Sequence, residues 1–260
     1  MSAIPPGAGP RSRTGTRRTG RAALVAAVCA ALAAALTGCG GGEDPDAGTN
    51  GMGKLPPTKI ESKARAAARR AGTVHLSGNV VSQGRTYKLD MSLAKDGAKG
   101  ELTTKAAAFQ LLRVGDALYL KADAAFWAGE KGGAAGASGG AASKLDGKYV
   151  KVPAADPVYK RFSGFTDKDT LLAGLLGLHG KLTAGDRGDV GGVRTIRLTA
   201  AAGAGGTLDV SLDGTPYPLR LQRAGGAGVL RLDDWGKRVD LRAPAKGKVV
   251  DYGSKIFGKG

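Results

Sequence analysis

Apolar and polar residues alternate along much of the chain with a period of two, which is the pattern of a half-buried β-strand. Segments 73–81 and 87–93 show it most clearly, and the Gln83-Gly84 pair between them indicates a turn. Further strand candidates are KGELTT, AFQLLRVG, ALYLKAD, GVRTIRLTA, TLDVSLDG, YPLRLQRA, GVLRLDDWG and RVDLRAP. The pattern predicts about ten strands in an antiparallel sheet with one apolar and one polar face.

Two segments break this period and favour helices. Thr58 and Glu61 have the spacing of a capping box, so a helix should run from there to about Ala71. Thr166 and Asp169 have the same spacing before the leucine-rich segment 171–178. The predicted fold class is therefore α+β: a strongly curved antiparallel sheet of about ten strands, with helices covering its concave face. A sheet this wide with few aromatic side chains must either close tightly or hold helices and a ligand.

The first 38 residues have the layout of a signal peptide. A positive region from Arg11 to Arg21 precedes 15 apolar residues, Ala22 to Leu36. A membrane-spanning helix needs about 20 apolar residues, so this segment is short for a permanent span. Either of two bacterial export routes is compatible with it, because the Arg17-Arg18 pair is only a weak twin-arginine signal.

Leu36-Thr37-Gly38-Cys39 resembles the bacterial lipobox. The resemblance implies a diacylglycerol thioether on Cys39, cleavage just before it, and an acyl chain such as palmitate on the mature protein. Cys29 would leave with the signal peptide, so no intramolecular disulfide is possible. We therefore expect a signal peptide over 1–38, a Gly/Pro/Asp-rich tether over 39–57, and one folded domain over 58–260.

The chain is basic and poor in aromatic residues. Its formal charge is +17 with 5% aromatics; removing five arginines of residues 1–38 leaves 34 basic against 22 acidic residues, or +12. Few stacking platforms count against nucleic-acid binding. The charge suits an anionic surface, and an ordinary solvated basic surface is the alternative.

The sequence also resembles the LppX/LprA/LprF/LprG family of actinobacterial cell-envelope lipoproteins. Besides the lipobox, the stretches that carry the resemblance are AGTVHLSG, LLRVGDALYLKADAAFW, GKYVKVP, GVRTIRL, YPLRLQ, LDDWGKRVDLRAP and VVDYG. The resemblance implies a half-barrel with a large apolar cavity for multi-acyl lipids or lipoglycans between sheet and helices. It implies no catalytic motif. The glycine/alanine-rich loop at Gly132–Ala142 is a departure from the family, and this loop is a candidate gate for lipid entry.

The alternating strands and the leucine-rich helix supply the candidate lining of such a cavity. These residues could instead pack only against one another, and the physical pattern leaves both interpretations open. The candidates are Leu76, Val80, Leu89, Met91, Leu93, Phe109, Leu111, Leu118, Leu120, Leu171, Leu172, Leu175 and Leu176.

Signals for catalysis or metal binding are sparse. His75 lies on the polar phase of a strand and His179 at the end of the leucine-rich segment, and no metal-ligand cluster accompanies either. Ser138 stands in a G-x-S-x-G match inside low-complexity sequence, without the strand and helix that a nucleophile elbow requires. We expect no enzyme, no cofactor and no metal.

The sequence predicts a lipoprotein anchored through Cys39 on the extracytoplasmic face of the cell membrane. It would bind an acylated lipid or glycolipid for transfer or presentation in the cell envelope. We expect a monomer, no nucleic acid, and a membrane lipid exporter as a candidate partner. The alternative is an envelope scaffold or regulatory lipoprotein with a filled core and no lipid cargo.

Overall fold

The computed structural model describes residues 44–82, 84–129 and 139–251. Residues from Gly48 onward form one compact unit, and the short described part of the other unit, 44–47, forms a turn closed by an Ala47 N–Asp44 O hydrogen bond of 2.8 Å. The α-helices are α1 (Pro57–Arg70), α2 (Ala124–Gly129), α3 (Gly139–Leu145), α4 (Pro157–Thr166) and α5 (Lys168–Leu175). The strands are β1 (Thr73–Ser82), β2 (Arg85–Ala94), β3 (Gly97–Thr103), β4 (Ala108–Val114), β5 (Ala117–Ala122), β6 (Tyr149–Val152), β7 (Leu182–Val190), β8 (Val193–Ala200), β9 (Thr207–Ser211), β10 (Pro218–Gln222), β11 (Gly228–Asp233) and β12 (Val249–Asp251).

All twelve strands belong to one curved, open sheet. Its order is β12-β6-β5-β4-β3-β2-β1-β11-β10-β9-β8-β7. Neighbouring strands pair antiparallel except β12, which pairs parallel with β6. The α+β class and the curved antiparallel sheet predicted from the sequence are confirmed.

The sheet has more strands than the alternation predicted. Strand β7 was not predicted because its side chains are mostly exposed on both faces, and its pairing with β8 shifts between Ala184 and Arg187. Such bulges are common on edge strands. The segment 238–244, predicted as a strand, contains no strand and lies between β11 and β12 in the chain. Alternation alone cannot distinguish a paired strand from an extended segment.

The helix starts differ from the predicted capping boxes. Helix α1 begins at Pro57, and no side chain caps its N-terminus. Proline is favoured at this first position because its missing N–H would have no intrahelical partner. Thr166 ends α4, where its hydroxyl donates to the Ser163 carbonyl at 3.0 Å. The N-cap of α5 is instead Asp167, whose side chain accepts a 2.8 Å hydrogen bond from the Thr170 amide.

Part of the predicted tether lies on the sheet. Asn50 Nδ2 donates 3.0 Å hydrogen bonds to the carbonyls of Ser211 and Gly214, and Met52 is buried. Arg194 Nη2 donates to the Gly48 carbonyl at 2.9 Å. The compact unit therefore starts about ten residues before Thr58.

The two faces of the sheet differ in chemistry. The inner face is defined here as the face that carries the apolar side chains against the helices, and the outer face as the opposite one. On the outer face, the buried carboxylate of Asp209 lies between Arg197 Nε at 2.8 Å and Arg220 Nε at 2.6 Å. A buried carboxylate loses its hydration, and charged partners offset that cost. The two ion pairs also join β8, β9 and β10.

A histidine joins three strands on the outer face. His75 Nδ1 lies 2.8 Å from Asp233 Oδ1, and Nε2 lies 3.0 Å from Asp90 Oδ1. Partial burial lowers the pKa of His75, but the hydrogen bonds to Asp90 and Asp233 outweigh it and raise the pKa above its ordinary value. The protonated ring is therefore the form that stabilises this part of the sheet.

Replacing this histidine should make stability less dependent on pH. Because the folded-state pKa of His75 is raised, its contribution is complete below the ordinary pKa and is lost as pH rises through the raised value. The free energy of unfolding should therefore differ most between wild type and His75→Gln near about pH 5 and least near about pH 8. Urea titrations at several pH values measure this, with His179→Gln as the control for loss of one exposed imidazole. A constant difference across the range would contradict the assignment.

Candidate functional site

The predicted cavity-lining residues converge on the inner face and belong to one apolar core. All of them are buried except Leu171, which is half-buried and packs against the same core. They come from β1, β2, β4, β5 and the α5 region, so the structure brings together residues up to a hundred positions apart. Whether they line a cavity for a ligand stays a prediction.

The floor of this site is a set of cross-strand rows of apolar side chains. In the central row, cross-strand partners follow one another across six strands: Leu76, Met91, Gly100, Leu111, Leu120 and Val150. Gly100 leaves room for its neighbour, because a Cβ there would lie 2.6 Å from Met91 Sδ. The second half of the sheet continues the surface with Leu230, Leu221, Leu208 and Leu198. The inner face is thus a continuous aliphatic surface.

Helices α4 and α5, together with Leu176, form what we call the cover. Phe162 of α4 packs edge-on to Phe109 of β4, with ring centroids 5.2 Å apart. Leu172, Leu175 and Leu176 are buried in the core. The predicted leucine-rich helix is shorter than expected, because α5 ends at Leu175 and Leu178 follows it outside the helix.

An arginine on the inner face holds the cover. Arg113 lies in the apolar phase of β4, with a side chain 13% exposed. Its Nε and Nη2 donate to the Thr166 carbonyl at 3.2 and 3.0 Å, at the C-terminus of α4. A cation is favourable at this end of a helix. Tyr159 adds a second contact, since its hydroxyl donates to the Asp116 carbonyl at 3.0 Å.

A buried lysine links the cover to α1. Lys168 is 1% exposed, and its Nζ lies 3.4 Å from the carbonyls of Ala68 and Arg69 in the last turn of α1. Asp169 supplies a carboxylate to the same ammonium. Lys168 therefore satisfies carbonyls that have no partner within the helix, and it fixes the start of α5 against the end of α1.

Sequence reasoning missed both Arg113 and Lys168. Each is a charged residue next to apolar ones, and such residues are usually exposed at the surface. A charge buried without partners is costly. A lysine or arginine at a position where the periodic pattern calls for an apolar residue is therefore the one sequence signal that could have indicated a buried anchor. Among the described residues, no buried polar side-chain atom lacks a hydrogen-bond partner.

Three cavities stand out in the described part of the chain, with volumes of about 630, 260 and 60 Å³. Of the predicted lining residues, Leu111 borders the first, Phe109 the second and Leu175 the third. The other predicted lining residues border none of these three, since they pack against one another between the sheet and the cover.

Other predicted features lie partly or wholly beyond the described residues. Cys39 and Ser138 are outside them, and so is most of the Gly132–Ala142 loop, whose end begins α3. His179 is exposed, and its amide donates to the Gly205 carbonyl at 3.3 Å. Within the described ranges, no group of three metal-ligating side chains occurs. In those ranges, too, no helix is long and apolar enough to cross a bilayer.

Solved structures to which the chain is similar include two mycobacterial proteins. LprF from Mycobacterium bovis is 17% identical, with a TM-score of 0.49 over 73% of this chain and 97% of that one. The lipoprotein LppX from Mycobacterium tuberculosis is 15% identical, with a TM-score of 0.43 over 72% of this chain and 100% of that one.

The predicted resemblance is confirmed. LprF and LppX are members of the family named from the sequence. An uncharacterised conserved protein from Thermus thermophilus is also similar, with 10% identity, a TM-score of 0.35 and coverage of 75% and 98%. No protein-family model and no curated protein matches the chain. At such identities, ligand and function must be argued from this chain's own residues.

Removing the buried lysine should destabilise the fold. Lys168→Met keeps the apolar stem but leaves the last carbonyls of α1 without their donor. We expect a loss of about 2 kcal/mol in the free energy of unfolding, the usual scale for hydrogen bonds to a charged group. Urea unfolding measures it, and Lys160→Met, at an exposed position of α4, is the control. Equal stability of the two variants would show that Lys168 is not an anchor.

Proposed function

We propose that this protein is an extracytoplasmic lipoprotein that takes up acyl chains between the inner face of its sheet and the cover. The observation that carries the proposal is the continuous aliphatic inner face, part of which is covered by the two short helices α4 and α5. Acyl chains contribute roughly 0.8 kcal/mol per CH₂ removed from water, so such a surface is suited to shield them. The described residues offer no metal-ligating group, and no catalytic step is part of the proposal.

Uptake requires the cover to move, because side chains fill the space between it and the sheet. Leu172, Leu175 and Leu176 would leave the sheet, and an acyl chain would take their place. One apolar contact then replaces another, so the exchange costs little compared with exposing the sheet to water.

The polar contacts of the cover indicate which part moves. Arg113 holds the carbonyl of Thr166, and Lys168 holds the end of α1, so the junction between α4 and α5 is fixed. The segment from Leu172 to Leu176 contacts the core through apolar side chains. Such contacts are non-directional, which lets this segment separate from the sheet while the junction acts as the hinge.

The charge on α1 supports a location at a membrane surface. Lys59, Lys63, Arg69 and Arg70 are exposed on this helix, and Arg65 lies 3.8 Å from Glu61. Anionic lipid headgroups attract such basic segments. Lipidation at Cys39 would add a covalent anchor, and two signals together give a more stable attachment than one acyl chain alone. The headgroup of a bound lipid would stay near this basic surface.

One observation favours a second function. The predicted lining residues pack together as a filled core, as expected of an envelope scaffold or regulatory lipoprotein without lipid cargo. The two functions differ in whether the cover opens, so lipid uptake decides between them.

The protein purified from its native membrane should carry acylated lipid. Weakening the hinge should increase the rate at which the protein takes up lipid. Arg113→Gln removes the hydrogen bonds to Thr166, so α4 is no longer held at the junction and the whole cover can separate from the sheet, not only Leu172–Leu176. We therefore expect a faster uptake of a fluorescent diacyl phospholipid, by about tenfold for ~1.4 kcal/mol of lost closure energy. Mass spectrometry of lipid extracts and fluorescence uptake rates measure the two effects.

Arg231→Gln is the matched control, since it removes the same charge from an exposed outer-face position of β11. Its uptake rate should equal that of wild type. Absence of co-purifying lipid together with absence of uptake in all three proteins would contradict the carrier and favour the scaffold. Equal uptake by all three would retain lipid binding and exclude Arg113 as part of the hinge.

Changing the lipobox cysteine should abolish the covalent lipid anchor. Cys39→Ser lacks the thiol that the thioether requires, so we expect release from the membrane or an uncleaved precursor. Membrane fractionation and mass spectrometry of the N-terminal peptide measure the outcome. Cys29→Ser is the control, because Cys29 lies in the predicted signal peptide and should not affect processing. Normal processing and retention of Cys39→Ser would refute lipidation at this residue.

A further inference from the structure

The outer face carries a groove that the lipid-binding proposal does not use. It has a volume of about 630 Å³, within the usual range of small-molecule sites. It lies over β2, β3 and β4, on the opposite side of the sheet from the cover. Its lining is Lys88, Asp90, Ser92, Lys99, Gly100, Glu101, Thr103, Gln110, Leu111, Leu112, Tyr149, Asp240 and Arg242.

One side of the groove is formed by Asp240 and Arg242 of the segment 237–245, which we call the strap. Thr73 Oγ1 fixes its start by donating to the Lys237 carbonyl at 2.7 Å, and β12 fixes the chain beyond it to β6. Leu241 lies over β3, where a Cβ on Gly97 would come within 3.0 Å of its Cδ1. The strap is thus held at both ends and in the middle, as a built site requires.

The floor of the groove places side-chain donors and acceptors next to one another along β2 and β3, where Lys88 precedes Asp90 and Lys99 precedes Glu101. Asp90 is the cross-strand partner of Glu101, and Glu101 of Gln110. Two carboxylates directly opposite each other are unfavourable in a sheet unless other groups compensate for them. Asp90 is compensated by His75, whereas Glu101 is exposed and accepts only a 3.2 Å hydrogen bond from Thr103 in the same strand. Glu101 is therefore an available acceptor at the centre of the floor.

The balanced charges of the lining do not favour a simple ion as the ligand. Three cations, Lys88, Lys99 and Arg242, balance three carboxylates, and no described group of side chains has metal-binding geometry. The arrangement suits a neutral ligand whose groups both donate and accept, which is the property of a hydroxyl. Tyr149 adds a half-buried aromatic ring, with Lys121 Nζ 5.6 Å from its centroid. The part of the ring that borders the groove is a surface for the apolar C–H face of such a ligand.

The geometry points to a binding site for a neutral oligosaccharide in this groove. Sugar hydroxyls would donate to Glu101 and Asp90 and accept from Lys88, Lys99 and Gln110. An extended peptide also alternates donors and acceptors, but its backbone amide and carbonyl groups bond in the plane of a strand, and the floor offers side chains that stand out from the sheet. The inference is independent of lipid uptake, since the side chains assigned to the sugar all lie on the outer face.

Titration of the full-length protein with trisaccharides tests the site. Maltotriose, cellotriose and mannotriose are added separately, up to about 10 mM, well above the ~1 mM Kd of a weak site. Binding is followed by amide chemical shifts or calorimetry. At least one trisaccharide should bind and shift the amides of 99–101 and 110–112. Because no probe carries an acyl chain, the result is independent of whether the lipid proposal holds.

Glu101→Gln should weaken the binding about tenfold, since it replaces a charged acceptor with a neutral amide of the same shape. Asp116→Asn, which changes an exposed carboxylate at the β4–β5 turn, should bind as wild type does. Both substitutions are at exposed positions, and an unchanged thermal midpoint confirms that each variant is folded. Trialanine and inorganic phosphate are the competing probes.

Three results would overturn the inference. The first is that no trisaccharide causes shifts in the groove residues. The second is that trialanine or phosphate binds there more tightly than any trisaccharide, which would assign the groove to a peptide or an anion. The third is that Glu101→Gln and Asp116→Asn have the same affinity as wild type for a trisaccharide that binds.

Discussion

The burial of one apolar sheet face constrains the whole structure. Most of the twelve strands place aliphatic side chains on the same side of the sheet, and such a surface cannot remain in water. The helices cover it, and charged side chains fix that cover because apolar contacts alone do not define a position. Arg113 and Lys168 have this role at the junction of α4 and α5. The same arrangement that stabilises the core therefore determines which segment is free to separate from it.

The two faces of the sheet are chemically independent. The inner face is aliphatic and closed by helices, while the outer face carries ion pairs, the histidine bridge and the groove beneath the strap. Successive residues of one strand thus face different environments: Met91 lies on the inner face and Asp90 on the outer face. The binding of a ligand to either face can be altered by substitutions that leave the side chains of the other face unchanged.

The fold class was predictable because alternation is a local property of the sequence. In segments such as β2 and β4, the order of apolar and polar residues in the sequence corresponds to the order of buried and exposed side chains. Strand β7 escaped prediction because an edge strand with both faces exposed has no such pattern. The strap was mistaken for a strand because its residues alternate as those of a strand do, although it pairs with no strand of the sheet. The predicted N-caps were wrong for a different reason. Pro57 and Asp167 are neighbours of Thr58 and Thr166 that also favour a helix start, and the helices begin with them instead.

The candidate site was predictable only in part. The inner-face residues follow from periodicity, and they do converge on one core. Whether that core opens depends on how firmly α5 is held, which is decided by pairings such as Arg113 with Thr166, 53 residues apart. No local pattern contains this information. The outer groove likewise depends on the strap, which reaches β2–β4 from beyond β11.

Hydrogen–deuterium exchange tests the central claim, that the cover separates from the sheet to admit acyl chains. Exchange is measured in the presence of diacyl phospholipid vesicles. The controls are lipid-free buffer and a water-soluble short-chain ester. The account predicts that lipid changes exchange in 171–178 and leaves β1–β5 and α1 protected. Unchanged exchange in 171–178, with protection equal to that of the central strands, would contradict it.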